Sequence, residues 1–385
     1  MRVLFVNENV GGHATVHRHL RAALDHFPDV EAVHLDIPAP RLARRAVGAA
    51  LPGIGRLDAD FQPLRAQLAA SAWARRRVGR IAGTCDALHV YTHNAALAFP
   101  DLLRARPSVV SLDTTNTHNA TRLPYRQPGP GTRPNLALTR PFERRVYEAA
   151  TLLVANSAWA ADSLRDDYAV EASKVRTFPF GIEAPGFGPG PAPGVRRGEG
   201  ADSALPRLVF VGRQLERKGA LDLLTLFRAR FARRAELVIV SPEPVPPAAN
   251  VRAVSDVTPG DRRLWDELRA GSIFVFPSAI DQAPNAVIEA MAAGLPVIAC
   301  DVAALSELVL SGETGLLVPP GDPACLGAAI DSLLASVEIR ARFGEAGRRR
   351  FTERFDARAS TAELLATLRE ARVLHRDRTA FHEER

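Results

Sequence analysis

Two carboxylates and two cations carry the chemistry that can be read from this sequence. Asp281 and Glu289 lie in the stretch IFVFPSAIDQAPNAVIEAMAAGLPVIACD, residues 273–301. Arg213 and Lys218 lie in the stretch GRQLERKG, residues 212–219. Glu289 sits among apolar neighbours, where a carboxylate needs a partner or a task. On these residues alone, Asp281 could cap a helix and Glu289 could form a structural ion pair. Equally, the two could bind ligand hydroxyls or work as an acid/base pair. Arg213 and Lys218 suit a diphosphate, Arg by its fork and Lys as a point charge. Ordinary surface charge is the plainer reading, and the bracketing Gly212 and Gly219 weigh against it.

The elements that must position these groups follow from the pattern. Residues 273–276 (IFVF) are short, apolar and aromatic or β-branched, as in a buried strand. The loop Asp281-Gln282-Ala283-Pro284-Asn285 follows. A helix is expected over 286–293, stopped by Gly294 and Pro296, with a new strand over 297–299. Residues 207–211 form a strand leading into the cationic turn, then a helix over 220–231 and a strand over 237–240. This is the crossover pattern of a parallel sheet. Its ligands bind beyond strand C-termini, where helix N-terminal N–H groups favour anions.

The first half repeats the pattern. Residues 2–6 form a strand, Gly11-Gly12 a turn, and a helix follows carrying His13 and His17. The GxGxxG fingerprint is absent, and no glutamate stands between the two histidines in the HExxH sense, so no metal site is expected. Strands over 88–91 and 108–112 end at His93 and Asp113, which become site candidates, with loop caps as the plainer reading. Residues 124–135 form a Pro/Gly loop, and Ser157 is placed to cap the helix 158–167. Residues 184–206 read as a linker. The domain organisation expected is therefore 1–183, a linker 184–206, 207–357, and a C-terminal helix from 358 to 385 packing back on the first domain.

Of 385 residues, 46% are apolar and 24% charged, as in soluble globular proteins. The net charge is +6. Residues 1–190 hold 23 Lys+Arg against 17 Asp+Glu, and the remainder 26 against 26, so the excess lies in the first half. That half is expected to face something acidic, such as a phosphorylated ligand or an anionic membrane. No long basic run with interleaved aromatics points to nucleic acid. Residues 41–81 are rich in Arg and Ala; the plainer reading is a solvated helix face, the sharper one a peripheral membrane contact. Cys85, Cys300 and Cys325 show no metal spacing and read as reduced, buried thiols of a cytoplasmic protein. Neither a signal peptide nor a transmembrane-length apolar run is expected.

With these residues laid out, the chain resembles the retaining glycosyltransferases of group 4, whose fold is GT-B. Val211-Gly212-Arg213 through Lys218-Gly219 resembles that family's phosphate turn. Asp281 to Val297 resembles its donor-sugar signature, and Gly312 to Asp322 the segment that follows. In the first half, Leu112-Asp113-Thr114-Thr115 and Asn156-Ser157-Ala158-Trp159 resemble one branch of it. The resemblance implies an α/β protein of two Rossmann-like doubly wound domains facing a central cleft. It implies that Arg213 and Lys218 bind the donor diphosphate and Glu289 the donor ribose. Asp281, with the backbone along Ala283, Pro284 and Asn285, would hold the transferred sugar. Gly12 would let the first-domain loop approach the diphosphate, and His93 would lie near the reacting centre, with His13 and Asp113 on the acceptor side. Two departures from the family pattern stand out: Asp281 replaces the commoner Glu, and Ala303-Ala304 replaces a common Gly-Gly pair, which narrows the room beside the donor.

The activity implied is transfer of a sugar from a nucleotide-diphosphate sugar to a hydroxyl acceptor (a glycan, a lipid-linked acceptor or a natural product). No cofactor and no metal are expected, since no DxD-like site is present. With no convincing nucleophile, the expected mechanism is front-face attack, the leaving phosphate taking the acceptor proton. Two other readings stay open: a nucleotide-sugar epimerase of the same architecture, and a non-catalytic sugar-nucleotide-binding subunit. The missing GxGxxG disfavours a dehydrogenase.

Overall fold

The computed structural model describes residues 1–8, 12–51, 53–57, 61–121, 129–188, 190–196, 204–258 and 260–383. Gly11 and much of the Pro/Gly loop 124–135 and of the stretch 184–206 lie outside the described residues. The chain forms two compact units, one of Met1–Gly181 with Ala357–Arg385, the other of Ile182–Asp356.

The first unit holds a six-stranded parallel sheet. Its strands are β1 (Arg2–Glu8), β2 (Glu31–Ile37), β3 (Ala87–Tyr91), β4 (Ser108–Leu112), β5 (Leu152–Ala155) and β6 (Val175–Thr177). The order is β2-β1-β3-β4-β5-β6. Strands β3, β4 and β5 are buried along their whole length, which is why they read as apolar runs without alternation. One face is covered by the helices Gln62–Ile81 and Thr132–Ala149, with Ala74, Val78, Val146 and Tyr147 in its core. The other is covered by the helix His13–Leu24 and by the helix Ala357–Glu383. From that last helix Leu364, Leu365, Leu368 and Ala371 are fully buried beside Val3, Phe5, Val109 and Val154. Each leucine contributes roughly 1.5–3 kcal/mol of burial. Arg176 pairs with Glu370, and Gly181 N–H donates to Ser360 Oγ at 2.9 Å.

The second unit repeats the design with β7 (Arg207–Val211), β8 (Glu236–Val240), β9 (Val251–Val254), β10 (Ile273–Phe276), β11 (Val297–Cys300) and β12 (Gly315–Val318). The order is β12-β11-β10-β7-β8-β9, all parallel. Of the stretch 184–206, Ala192 and Val195 join this unit's core. Ala192 and Val195 are 1% and 0% exposed, Ala192 N–H donates to Gly294 O at 2.9 Å, and Arg340 Nε donates to Val195 O at 2.9 Å. A Cβ on Gly194 would stand 2.3 Å from the backbone of Ala270, so glycine there allows close approach rather than flexibility.

Ser157 caps the helix Ala158–Tyr168 as expected, accepting from Ala160 N–H at 3.1 Å. Among the cysteines, Cys85 and Cys300 are buried, whereas Cys325 is exposed: it follows the cap Asp322 on the outward turn of the helix Pro323–Ala335. No helix among the described residues is long and apolar enough to cross a membrane.

Candidate active site

A parallel sheet opens a ligand crevice where strand order reverses, beyond the strand C-termini. In the second unit the reversal falls between β7 and β10. The residues following those strands are Gly212–Gly219 and Pro277–Asp281, the two stretches singled out by their chemistry. The turn after β7 folds back on the loop after β10. Gly219 has φ +72°, and a Cβ on it would stand 2.6 Å from Pro277 O. Gly212 lies under the Lys218 side chain, where a Cβ would come 3.0 Å from Lys218 Cδ. Both glycines therefore make room, one for a neighbouring loop and one for the lysine stem.

Lys218 Nζ lies 3.7 Å from Asp281 Oδ1 and 5.1 Å from the centre of the Phe276 ring. Arg217 reaches the same Oδ1 at 3.8 Å, and Ser278 Oγ donates to Asp281 Oδ2 at 2.7 Å. Asp281 therefore does not cap the following helix. That helix, Asn285–Ala293, starts after Pro284 with no side-chain cap, leaving the first turn without a side-chain acceptor. Gly294 closes it in the left-handed conformation at φ +84°. Glu289 is 4% exposed, and its charge acts on Lys218. Burial pushes the Lys218 ammonium below its usual pKa, and Asp281 opposes that. The result is a partly desolvated cation beside a carboxylate.

Arg213 stands apart from this cluster. Its side chain is exposed, and its charge acts on Glu243. Glu243 accepts from Gln214 N–H at 2.6 Å and Leu215 N–H at 3.1 Å, which holds the turn, with Gln214 at φ +59°. The second cation on Asp281 is Arg217, which the sequence reading passed over. Its register one position before Lys218 was a visible signal. Glu243, on the loop after a neighbouring strand, was not visible from local pattern.

In the first unit the reversal falls between β1 and β3. Glu8 ends β1, and Thr92 Oγ1 donates to it. His13, on the first turn of its helix, places Nε2 3.2 Å from Asp113 Oδ2, each side chain about a quarter exposed. Burial lowers the His13 pKa, but the hydrogen bond and charge of Asp113 outweigh it and raise the value. Burial likewise opposes ionisation of Asp113, yet the hydrogen bond and charge of His13 hold it below its usual value. Gly12 precedes that helix with φ −63° and ψ −24°, an ordinary right-handed backbone that does not itself require glycine.

His93 follows β3 as expected, but its imidazole is sealed, with 2% exposure. Nε2 lies 2.9 Å from Oε1 of Glu143, itself fully buried, as an ion-pair contact without hydrogen-bond alignment. Glu143 also accepts from Asn116 N–H at 3.0 Å, Tyr147 OH at 3.3 Å and Tyr168 OH. The ring is thus part of a buried polar network, not an open proton-transfer group in this structure. His17 is spaced to share a face with His13, and both rings meet the edge of Tyr91. No cluster of three or more His, Cys, Asp or Glu that could hold a metal occurs among the described residues.

The second domain matches the family model "Glycosyl transferases group 1" over residues 205–336, and the first matches "Glycosyltransferase Family 4" over residues 10–184. The alpha-maltose-1-phosphate synthase of Mycolicibacterium smegmatis is 30% identical over 238 residues, 55% of this chain and 61% of that protein. The D-inositol 3-phosphate glycosyltransferase of Jonesia denitrificans is 30% identical over 278 residues, 66% of this chain and 65% of that one. The alignments therefore span under two thirds of those relatives' lengths. Among solved structures, sucrose-phosphate synthase from Thermosynechococcus elongatus matches 96% of this chain and 98% of its own at TM-score 0.72 and 18% identity. Anabaena HepE in complex with UDP-glucose matches 95% of this chain and all of its own at TM-score 0.63 and 17% identity. The two family models lie on the two units, and the two parallel sheets match those of GT-B structures. The chain carries a glycosyltransferase family 4 domain followed by a glycosyl transferases group 1 domain.

Proposed function

We propose that the protein is a glycosyltransferase that moves a sugar from a nucleotide-diphosphate sugar to a hydroxyl acceptor, with retention and without a metal. The observation that carries the reading is the half-buried Lys218 beside Asp281, where β7 and β10 part. A diphosphate leaving an anomeric carbon gains negative charge on its outer phosphate. A fixed, partly dehydrated ammonium stabilises that charge more strongly than a hydrated one. Arg217 or Arg213 supplies further positive charge on the same turn. Asp281, Glu289 and the first turn of the helix Asn285–Ala293 are the donor-side groups, Glu289 for ribose and Asp281 for the sugar hydroxyls. His13 and Asp113 are the acceptor-side pair.

Structural relatives support the donor class: Anabaena HepE was solved with UDP and with UDP-glucose. Both family models describe glycosyl transfer, which favours it over the epimerase and the non-catalytic readings. The test is turnover of a panel of UDP-, GDP-, TDP- and ADP-sugars with and without EDTA. Release of nucleoside diphosphate from one donor, unchanged by chelator, is the expected result. No binding or turnover of any donor overturns the transferase reading, and loss of activity in EDTA overturns the metal-free mechanism.

A further inference from the structure

The segment 41–54 of the first unit is held by its backbone and shows its apolar side chains to solvent. Its helix, Leu42–Val47, buries no residue. Leu42 is 86% exposed, and Val47, Leu51 and Ile54 are 47%, 44% and 46% exposed. These are four of the eight large apolar side chains exposed among the described residues, gathered in one short stretch. The segment is nevertheless anchored. Gln62 Nε2 donates to Gly48 O at 2.7 Å, and Arg65 donates to the carbonyls of Val47 and Ala49. Gly48 packs so closely on the helix Gln62–Ile81 that a Cβ would stand 3.2 Å from Ala66 Cβ. Arg44 donates to Pro38 O at 3.1 Å. A stretch fixed in this way nevertheless keeps Leu42, Val47, Leu51 and Ile54 exposed to solvent.

The charge around it is predominantly positive. Residues 37–85 hold nine Arg and no Lys against two Asp, Asp58 and Asp60. Nine less two is +7, against +6 for the whole chain, so this stretch alone accounts for the protein's basicity. Arg41 and Arg45 flank Leu42 and are exposed, and Arg77 stacks on Trp73 with its guanidinium carbon 3.6 Å from the ring centre. Exposed Leu, Val and Ile beside the exposed Arg41 and Arg45 fit an interface that is apolar below and anionic above. A second copy would bring the same positive excess and be repelled by it, whereas an anionic bilayer meets both the charge and the apolar side chains. We infer that residues 41–54 dock the protein on the surface of an anionic lipid bilayer. Leu42, Val47, Leu51 and Ile54 enter the headgroup boundary while Arg41 and Arg45 meet lipid phosphates. The inference is independent of the reaction proposed above.

The test is sedimentation of the full chain with phosphatidylcholine vesicles, with and without phosphatidylglycerol. Binding at least about tenfold tighter to the anionic vesicles, weakened by salt, is expected. Leu42→Asp with Ile54→Asp, and separately Arg41→Glu with Arg45→Glu, should each lower that binding about tenfold. Both pairs are exposed, and unchanged melting would confirm the fold. Failure to bind either vesicle, or binding that ignores both substitutions, overturns the inference. Concentration-dependent self-association in light scattering, removed by Leu42→Asp, would assign the surface to a second copy and overturn it as well.

Discussion

Lys218 Nζ stands 3.7 Å from Asp281 Oδ1, and these two residues come from loops that follow the two strands at which the second sheet reverses order. The pair joins the two segments whose chemistry stands out in the sequence. It also sets the charge state on which the proposed reaction depends. Lys218→Ala should lower turnover by about 10²–10³-fold, the usual effect of removing one preorganised charge-stabilising donor. The melting profile should stay near wild type. Initial rates with the preferred donor, beside a thermal scan, check it, and near-normal rates would sink the phosphate role.

Asp281→Asn should move the alkaline limb of kcat/KM to lower pH. Burial already depresses the Lys218 pKa, and Asp281 is the largest influence opposing it. The active form is the protonated ammonium, which is lost as pH rises through its pKa. Removing the carboxylate charge depresses that pKa further, so activity fails at a lower pH. An alkaline limb that stays in place would show that Lys218 is not the titrating group.

Acid should weaken the first unit before the second. All ten histidines lie in the first unit and none in residues 182–356. Burial pushes His17 and His89 down to about 3 and His19 and His34 to about 4, from 6.5. These side chains are neutral when folded, so the unfolded chain binds more protons between pH 6.5 and about 4. Their contribution is complete above 6.5 and is lost as pH falls. His13, raised by Asp113, works in the opposite sense but is one against four. Hydrogen exchange at falling pH should show amides of the first sheet losing protection while those of β7 to β12 keep theirs.

Ala303 holds φ +49°, the left-handed conformation that costs an L-residue roughly 1–2 kcal/mol. Ala303→Gly should relieve that strain. After the added freedom of glycine in the unfolded chain, the gain should be about 0.5–1 kcal/mol. Chemical denaturation reads it directly, and a destabilised variant would show that the methyl group makes a compensating contact.

Strands β1, β3, β4, β7, β8, β10 and β11, the loops after β7 and β10 and the Ser157 cap were legible because each is a local pattern: an apolar run, a glycine bracket, a polar residue before a helix; the edge or short strands β2, β6 and β9 were not read. Several site features were not. Arg217 and Arg213 stand in the same turn, and only the fold shows which one turns toward Asp281. The pairing of His13 with Asp113 depends on the order of β1, β3 and β4, which periodicity does not encode. His93 sits at the expected strand end, yet whether its ring opens to a ligand was decided by Glu143, a helical residue with no local signature. The stretch 184–206 reads as a tether because Pro and Gly are common in tethers. Gly194 and Gly294 instead serve close approach between backbones, which composition does not distinguish from freedom.

The first unit is written in two pieces with the second unit between them. The nascent chain that has delivered β1 to β6 therefore lacks the leucines of Ala357–Glu383, and the face carrying Val3, Phe5, Val109 and Val154 is covered only by the helix His13–Leu24 until translation reaches them. Assembly of this protein is tied to the order of its synthesis. The second unit can close on the ribosome as its own residues emerge, while the first waits for the last helix, and a chain cut after residue 356 would leave it open and prone to aggregation.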